Sequence, residues 1–193
     1  NAQDLSRNIS QPKNRLTTEE LKKILEENKC LVKAFQESIA EIEEFITEEY
    51  LFLLANPKAV ILAKESDLKN NVPIKSGMLF STCSSGTNAI SLAKKFETEV
   101  FLTPEQHYCE FLKKWYCFTI PINYQNKTIG FLDVSVVKKE MQEELKAITV
   151  LLKDRILKKL DKFKRKDKAV ELTCKQEEVL DYLSHGLTER EIA

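Results

Sequence analysis

The sequence is poor in the residues that break regular structure or mark specialised folds. Its 193 residues include only four glycines, five prolines, two methionines and one tryptophan. So little glycine excludes a collagen-like chain, and hydrophobic and charged fractions of 42% and 31% are typical of an ordinary globular protein. The length allows one well-buried domain with a smaller unit beside it.

Long hydrophobic runs are also missing. No apolar stretch approaches the roughly 20 residues that a membrane-spanning helix needs, and no signal-peptide pattern opens the chain. We therefore expect a soluble, cytoplasmic protein without a membrane partner. Within the N-terminal segment 1–16, Asn1 and Ala2 are interpreted as the scar of a removed tag and are left out of the fold prediction.

The chain has no excess of either charge, with 30 basic and 30 acidic side chains. This balance excludes a general affinity of the whole surface for nucleic acid. The charges are nevertheless segregated, because glutamate dominates residues 19–49 whereas lysine and arginine dominate residues 153–168. The basic stretch is expected to give only non-specific contacts to phosphates.

Cysteine pairs at metal-binding or redox spacing are absent. The five cysteines are Cys30, Cys83, Cys109, Cys117 and Cys174. An odd number without a two-residue gap favours reduced thiols and no structural metal. His107, Cys109 and Cys117 leave a thiol redox sensor or metal sensor open as an alternative, although buried cysteines that only pack are the favoured interpretation.

Apolar spacing and capping signals predict an α+β domain over residues 17–163. Thr17 and Glu20 have the form of a capping box at the start of the first helix. Helices are predicted at 18–49 with one break, 88–96, 107–114 and 138–163, and strands at 50–55, 59–63, 99–102, 115–122 and 128–137. The expected fold is an antiparallel sheet with flanking helices, followed by a long helix. The last two strands are predicted to be antiparallel neighbours joined by the turn 123–127.

Four short motifs in order give this domain a family resemblance. They are GTNAI at 86–90, HYC at 107–109, WYCFTIPI at 115–122 and GFLDVS at 130–135. Together they resemble the GAF sensory domain of acetoin-operon activators and their relatives. The resemblance extends over about residues 16–160.

The GAF resemblance implies a small organic effector bound between the sheet and the crossover segment 64–114, with no cofactor. The site residues that it implies are His107, Cys109, Trp115, Cys117, Thr119 and Asp133. The pattern does not resemble the GAF enzymes that reduce free methionine sulfoxide, so no catalytic activity is expected. An effector site should show a cavity of roughly several hundred Å³. The alternative is a filled core in a GAF domain that serves only for dimerisation.

The C-terminal residues have a second resemblance. After a predicted linker at 164–171, residues 172–193 resemble the opening half of a LuxR/FixJ-type helix-turn-helix, a partial all-α unit. The positions that carry the DNA-binding domain by this resemblance are Thr173, Gly186, Thr188, Glu189 and Arg190. The recognition helix is expected to follow the last residue of the chain. These features predict a bacterial transcription regulator that binds DNA through the completed domain, as a homodimer held by the helices at 18–49 and 138–163.

Overall fold

The computed structural model describes residues 5–68, 72–137 and 139–169. Its centre is a five-stranded antiparallel sheet in the order β2-β1-β5-β4-β3. The strands are β1 (Leu51–Ala55), β2 (Ile61–Ser66), β3 (Val100–Leu102), β4 (Trp115–Tyr124) and β5 (Lys127–Val137). The helices are α1 (Thr18–Glu27), α2 (Lys29–Ala40), α3 (Thr82–Ser85), α4 (Ala89–Phe96) and α5 (Glu143–Ala169). This arrangement confirms the predicted α+β class.

The hairpin of β4 and β5 forms the middle of the sheet, as predicted. Pairing runs from Trp115 opposite Val137 to Tyr124 opposite Lys127. The turn contains only Gln125 and Asn126, whose φ angles of 50° and 60° match the right-handed twist of the strands. It is therefore shorter than the predicted loop at 123–127.

Alternating side chains divide the core between the two faces of the sheet. On one face, α2 and α5 pack against residues such as Phe52, Phe118 and Val134. The other face belongs to a second hydrophobic cluster, in which β1, β4 and β5 pack beneath α4 and the rest of the crossover segment. The fold thus has three layers, with the sheet between the terminal helices and the crossover segment.

The predicted helix at 18–49 is wrong in its extent. The capping box of Thr17 and Glu20 is present, but α1 ends after Glu27, α2 covers Lys29–Ala40, and only a 3-10 turn at Glu43–Phe45 follows. Asn28 separates the two helices. Its side-chain Nδ2 donates to the carbonyl oxygen of Ile24 at 2.8 Å, and this bond competes with the backbone hydrogen bonds that would continue the helix.

Two other helix predictions also need correction. Residues 107–114 form no α-helix, because His107 is extended between the 3-10 turns Pro104–Gln106 and Glu110–Leu112. The helix predicted at 138–163 begins only at Glu143, and it runs to Ala169 within the predicted linker. The strand β5 ends at Val137 as predicted, so the difference lies in the connection that precedes Glu143.

The predicted helix-turn-helix at 172–193 lies outside the described residues. Within the described part of the chain, no helix is both long enough and apolar enough to cross a membrane.

Candidate functional site

A small cavity lies between the sheet and the crossover segment, where the effector site was predicted. One side of the cavity is formed by three adjacent strands. Leu53 of β1 is paired with Asp133 of β5, and Asp133 is paired with Thr119 of β4. The lining residues are mostly apolar: Leu53, Ile74, Phe80, Asn88, Ala89, Ile90, His107, Leu112, Trp115, Cys117, Asp133 and Ser135. An apolar wall with a few polar groups is typical of a small-molecule site.

Asp133 is the centre of a buried hydrogen-bonded cluster on the sheet. The hydroxyl of Thr119 donates to Oδ1 of Asp133 at 2.5 Å, and the hydroxyl of Ser135 donates to Oδ2 at 2.7 Å. Burial raises the pKa of Asp133 to about 6, although both hydroxyl groups act in the opposite direction by stabilising the carboxylate. The site therefore holds a carboxyl group that titrates close to neutral pH.

Cys117 belongs to the same cluster but is a poor nucleophile. Its Sγ lies 3.1 Å from the hydroxyl oxygen of Ser135. Burial raises the pKa of Cys117 well above the usual thiol value, and the nearby charge of Asp133 adds to this effect, while Ser135 opposes it. The thiol is therefore protonated at neutral pH and has little reactivity.

His107 is the polar group of the cavity without a hydrogen bond. Its side chain is 2% exposed, and neither ring nitrogen has a hydrogen-bond partner within the described ranges. Burial lowers the pKa of His107 to about 4, although the backbone of Trp115, which approaches the ring without meeting hydrogen-bond geometry, and the charge of Glu105 favour the protonated ring. A neutral imidazole that offers one donor and one acceptor is thus buried without a partner, which is costly unless water or a ligand contacts it.

The structure brings four of the six predicted site residues to the cavity wall: His107, Trp115, Cys117 and Asp133. Thr119 is not among the lining residues, and it contacts the site only through the hydrogen bond that its hydroxyl donates to Asp133. Cys109 is buried outside the lining, in the connection between the two 3-10 turns.

Sequence reasoning missed Ser135 and Asn88 as site residues. Both lie within the quoted motifs, so signals were present. Ser135 follows Asp133 by two positions and must share its face of β5. Asn88 caps α4, and its amide also donates to the carbonyl oxygen of Phe80 at 3.0 Å, which ties the helix to the preceding loop.

The cavity is much smaller than expected. Its volume is about 10 Å³, which is room for about one water molecule. The expectation of a preformed cavity of several hundred Å³ is therefore wrong, and a nearly filled core is what the alternative of a domain that serves only for dimerisation predicts. Cys83, Cys109 and Cys117 are free thiols, and no group of three or more His, Cys, Asp or Glu side chains in the described ranges is placed to hold a metal ion.

The sheet, its flanking helices and the long C-terminal helix together form a GAF-like fold. A chain of the complex between the E. coli proteins DhaR(N) and DhaL matches with a TM-score of 0.71 and 15% identity. The match covers 94% of the present chain and 62% of that chain. The present chain therefore spans less than two thirds of that neighbour.

Two further solved structures are similar over most of their length. Free methionine-R-sulfoxide reductase from Neisseria meningitidis matches with a TM-score of 0.50 and 14% identity, over 74% of the present chain and 85% of that chain. The GAF domain of a sensor histidine kinase from Bacillus halodurans matches with a TM-score of 0.46 and 13% identity, over 70% of the present chain and 96% of that chain. No protein-family model matches the chain, and neither does any curated protein. At 15% and 14% identity, the likeness to the DhaR(N)–DhaL chain and to the reductase is one of fold.

The opposite pKa shifts of His107 and Asp133 predict opposite pH effects on stability. His107 has a lowered pKa in the folded state. The stability that its neutral form contributes is therefore present above pH 6.5 and is lost as the pH falls through about 4. Asp133 has a raised pKa, so its contribution is present below pH 3.8 and is lost as the pH rises through about 6. In the wild type, the stability that His107 loses between pH 7 and pH 4 is nearly equal to the stability that Asp133 gains, so the two changes nearly cancel.

Single variants should reveal each effect separately. Between pH 7 and pH 4, Asp133→Asn should lose up to about 3 kcal/mol of unfolding free energy relative to the wild type, and His107→Gln should gain about as much. Urea unfolding of the three proteins at several pH values measures this difference, and surface groups with lowered pKa values such as Glu41 cancel in the comparison. Parallel pH profiles for all three proteins would contradict the burial of these groups.

Proposed function

We propose that the chain is the regulatory part of a bacterial transcription regulator whose GAF-like domain binds a small organic effector in the cavity. The observation that carries this proposal is His107, a buried imidazole that lines the cavity together with Asp133 and whose two nitrogens have no hydrogen-bond partner among the described residues. Since the cavity holds only about one water molecule, the crossover segment must move to admit the effector. The effector must then bind the opened state more tightly than the closed state.

The long helix α5 gives this movement a route toward the C-terminus. It packs against α2 and against the sheet strands β4 and β5 that carry the site. Tyr124 at the end of β4 donates a hydrogen bond to Asp161 of α5 at 2.7 Å. We propose that α5 transmits the effector signal to a LuxR-type helix-turn-helix beginning near residue 172, which binds DNA once completed. A coupling of about 1–3 kcal/mol is the usual size for such a switch.

The proposal gives the domain no catalytic role. Burial raises the pKa values of both Cys109 and Cys117, which disfavours the thiolate needed for attack on a sulfoxide. Turnover of free methionine sulfoxide by the purified chain would contradict this part of the proposal.

A thermal-shift screen tests effector binding. Short aldehydes, diols, ketones and organic acids form the panel, because the cavity is small and has both apolar and polar walls. A ligand at a hundred times its Kd should stabilise the folded chain by about 2.7 kcal/mol. The same compound should have a weaker effect on Asp133→Asn, whose site chemistry is changed. A panel without a single stabilising compound would contradict effector binding of these classes.

Dimerisation is a second candidate function, favoured by a groove on the opposite face of the molecule. The groove has a volume of about 780 Å³ and lies between α5 and the residues after α2. Phe45 and Leu151 line it and are 70% and 68% exposed. Its charged side chains include both acidic and basic groups, such as Asp154 and Lys158. A two-fold contact places the same patch against itself, so mixed charges around apolar residues suit a second copy of the chain.

Leu151→Glu is expected to weaken the homodimer at least about tenfold, because it places a carboxylate in the apolar centre of the proposed interface. Phe45→Glu should act in the same direction. Phe96→Glu is the matched control, since Phe96 is 58% exposed but belongs to α4 outside the groove. Sedimentation velocity at high micromolar concentration measures the outcome. A monomeric wild type, or equal effects of all three substitutions, would refute this interface.

A further inference from the structure

A second, more open depression lies directly outside the cavity. This polar cleft has a volume of about 220 Å³ and is lined by Arg7, Thr87, Glu105, Gln106, His107, Tyr108 and Lys113. His107 is the one residue that lines both the polar cleft and the cavity. The imidazole ring therefore forms the partition between a surface depression and the buried Asp133 cluster.

The N-terminal residues give the polar cleft a defined edge. The hydroxyl of Tyr108 donates to the carbonyl oxygen of Leu5 at 2.8 Å, and the backbone N–H of Glu110 donates to the carbonyl oxygen of Arg7 at 2.9 Å. Leu5 is buried, which anchors this edge. The guanidinium of Arg7 lies 5.3 Å from the centroid of the Tyr108 ring. Arg7 is thus held over the residue that follows His107.

The charges of the polar cleft leave one cation available. Lys113 pairs with Glu110 at 2.9 Å. Arg7, in contrast, has no carboxylate within ion-pair distance among the described residues. The lining has two permanent cations, Arg7 and Lys113, and one carboxylate, that of Glu105, while Glu110 balances the charge of Lys113. A planar guanidinium fork without a carboxylate partner in the described residues matches a carboxylate ligand, which arginine binds through two parallel hydrogen bonds.

We propose that the polar cleft and the cavity form one composite site for a short-chain monocarboxylate, with His107 as the gate between its two parts. This inference rests on the effector-binding function proposed above. The carboxylate binds Arg7 in the cleft, the neutral imidazole of His107 supplies a further donor, and the alkyl end turns past the ring toward the apolar wall around Trp115. Because the closed cavity accepts little more than one water-sized group, acids of about two to four carbon atoms require the smallest movement of the crossover segment.

Trp115 provides a local readout of binding at this site. It is the only tryptophan of the chain and lines the cavity, so a change in intrinsic emission reports on the cavity. Propionate and lactate serve as probes, and 1-propanol and 1,2-propanediol serve as neutral analogues of matched size. All titrations are made at constant ionic strength, so that general salt effects are removed.

Arg7→Gln and Lys58→Gln are the test and control variants. Both remove one positive charge, but Lys58 lies in the exposed turn between β1 and β2 and lines neither part of the site. Propionate or lactate should change Trp115 emission with saturation in the wild type and in Lys58→Gln, whereas the neutral analogues should not. Arg7→Gln should weaken that binding by about tenfold or more, the usual cost of losing a charged hydrogen-bond partner.

Three outcomes would overturn the composite site. Equal responses to the neutral analogues would remove the carboxylate preference but leave effector binding intact. Unchanged affinity in Arg7→Gln would place carboxylate binding elsewhere. No response to any probe, together with a thermal-shift panel without a stabilising compound, would overturn both the composite site and the effector-binding proposal.

Discussion

Replacing Gly86 with alanine is expected to lower the free energy of unfolding by about 4 kcal/mol, through backbone strain together with overpacking. Gly86 has a φ of +64°, and an added Cβ would lie 2.4 Å from Cδ1 and 2.6 Å from Cβ of Tyr108. The Cβ of Tyr108 cannot rotate away, because its position is fixed by the backbone. The clash can therefore be relieved only if the segments that contain Gly86 and Tyr108, which enclose the polar cleft, move apart.

Gly77→Ala is the control for backbone strain alone. Gly77 also has a positive φ, +87°, but its added Cβ would first meet the flexible end of Leu21 at 3.3 Å. We expect a loss of about 1–2 kcal/mol for this variant, mainly from strain. Urea unfolding of both variants measures the difference. Equal losses would mean that the close approach of Gly86 and Tyr108 does not contribute.

Asn88→Ala is expected to destabilise the fold by about 4 kcal/mol, the sum of a lost helix cap and of several buried hydrogen bonds. Oδ1 of Asn88 accepts from the backbone N–H of Ser91 at 2.9 Å. Its Nδ2 lies at 2.9–3.0 Å from the carbonyl oxygens of Phe80 and Gly86 and from the hydroxyl of Ser85. Since Asn88 is 2% exposed, water cannot easily replace these contacts.

Thr17→Ala gives the matched comparison for this substitution. Thr17 caps α1 through a similar capping box, but its contacts are exposed and involve only Glu20. Its loss should cost about 1 kcal/mol. Thermal or urea unfolding compares the two variants directly. A similar effect at both positions would show that the additional bonds of Asn88 contribute little.

Local signals in the sequence predicted much of this fold because they depend on neighbouring residues only. The capping box at Thr17 marks the beginning of α1, and the strands of the central sheet lie where β-prone residues predicted them. The errors arose where contacts between residues far apart in the sequence determine where a helix begins or ends. Met141 has helical spacing to Leu145 and is buried like the helical stripe, yet it precedes the first residue of α5.

The candidate site could be predicted in part for the same reason. Two-residue spacing places Asp133 and Ser135 on one face of β5, and cross-strand pairing with Thr119 and Cys117 completes the cluster. The cavity volume, in contrast, depends on how the crossover segment packs onto Trp115 and its neighbours, which no short motif specifies. The partition formed by His107 likewise depends on the 3-10 turns around it, where the sequence favoured an α-helix.

The most direct measurement of effector binding is the ¹⁵N NMR spectrum of the histidine rings during titration with a stabilising compound. The chain has only two histidines, so the His107→Gln variant assigns the His107 signals. At neutral pH the ring should be neutral, because burial lowers the pKa of His107 to about 4. If the effector occupies the cavity, the protonated ring nitrogen of His107 should shift on binding as it gains a hydrogen-bond acceptor. Unchanged His107 signals at a saturating concentration of the compound would contradict effector binding at this site.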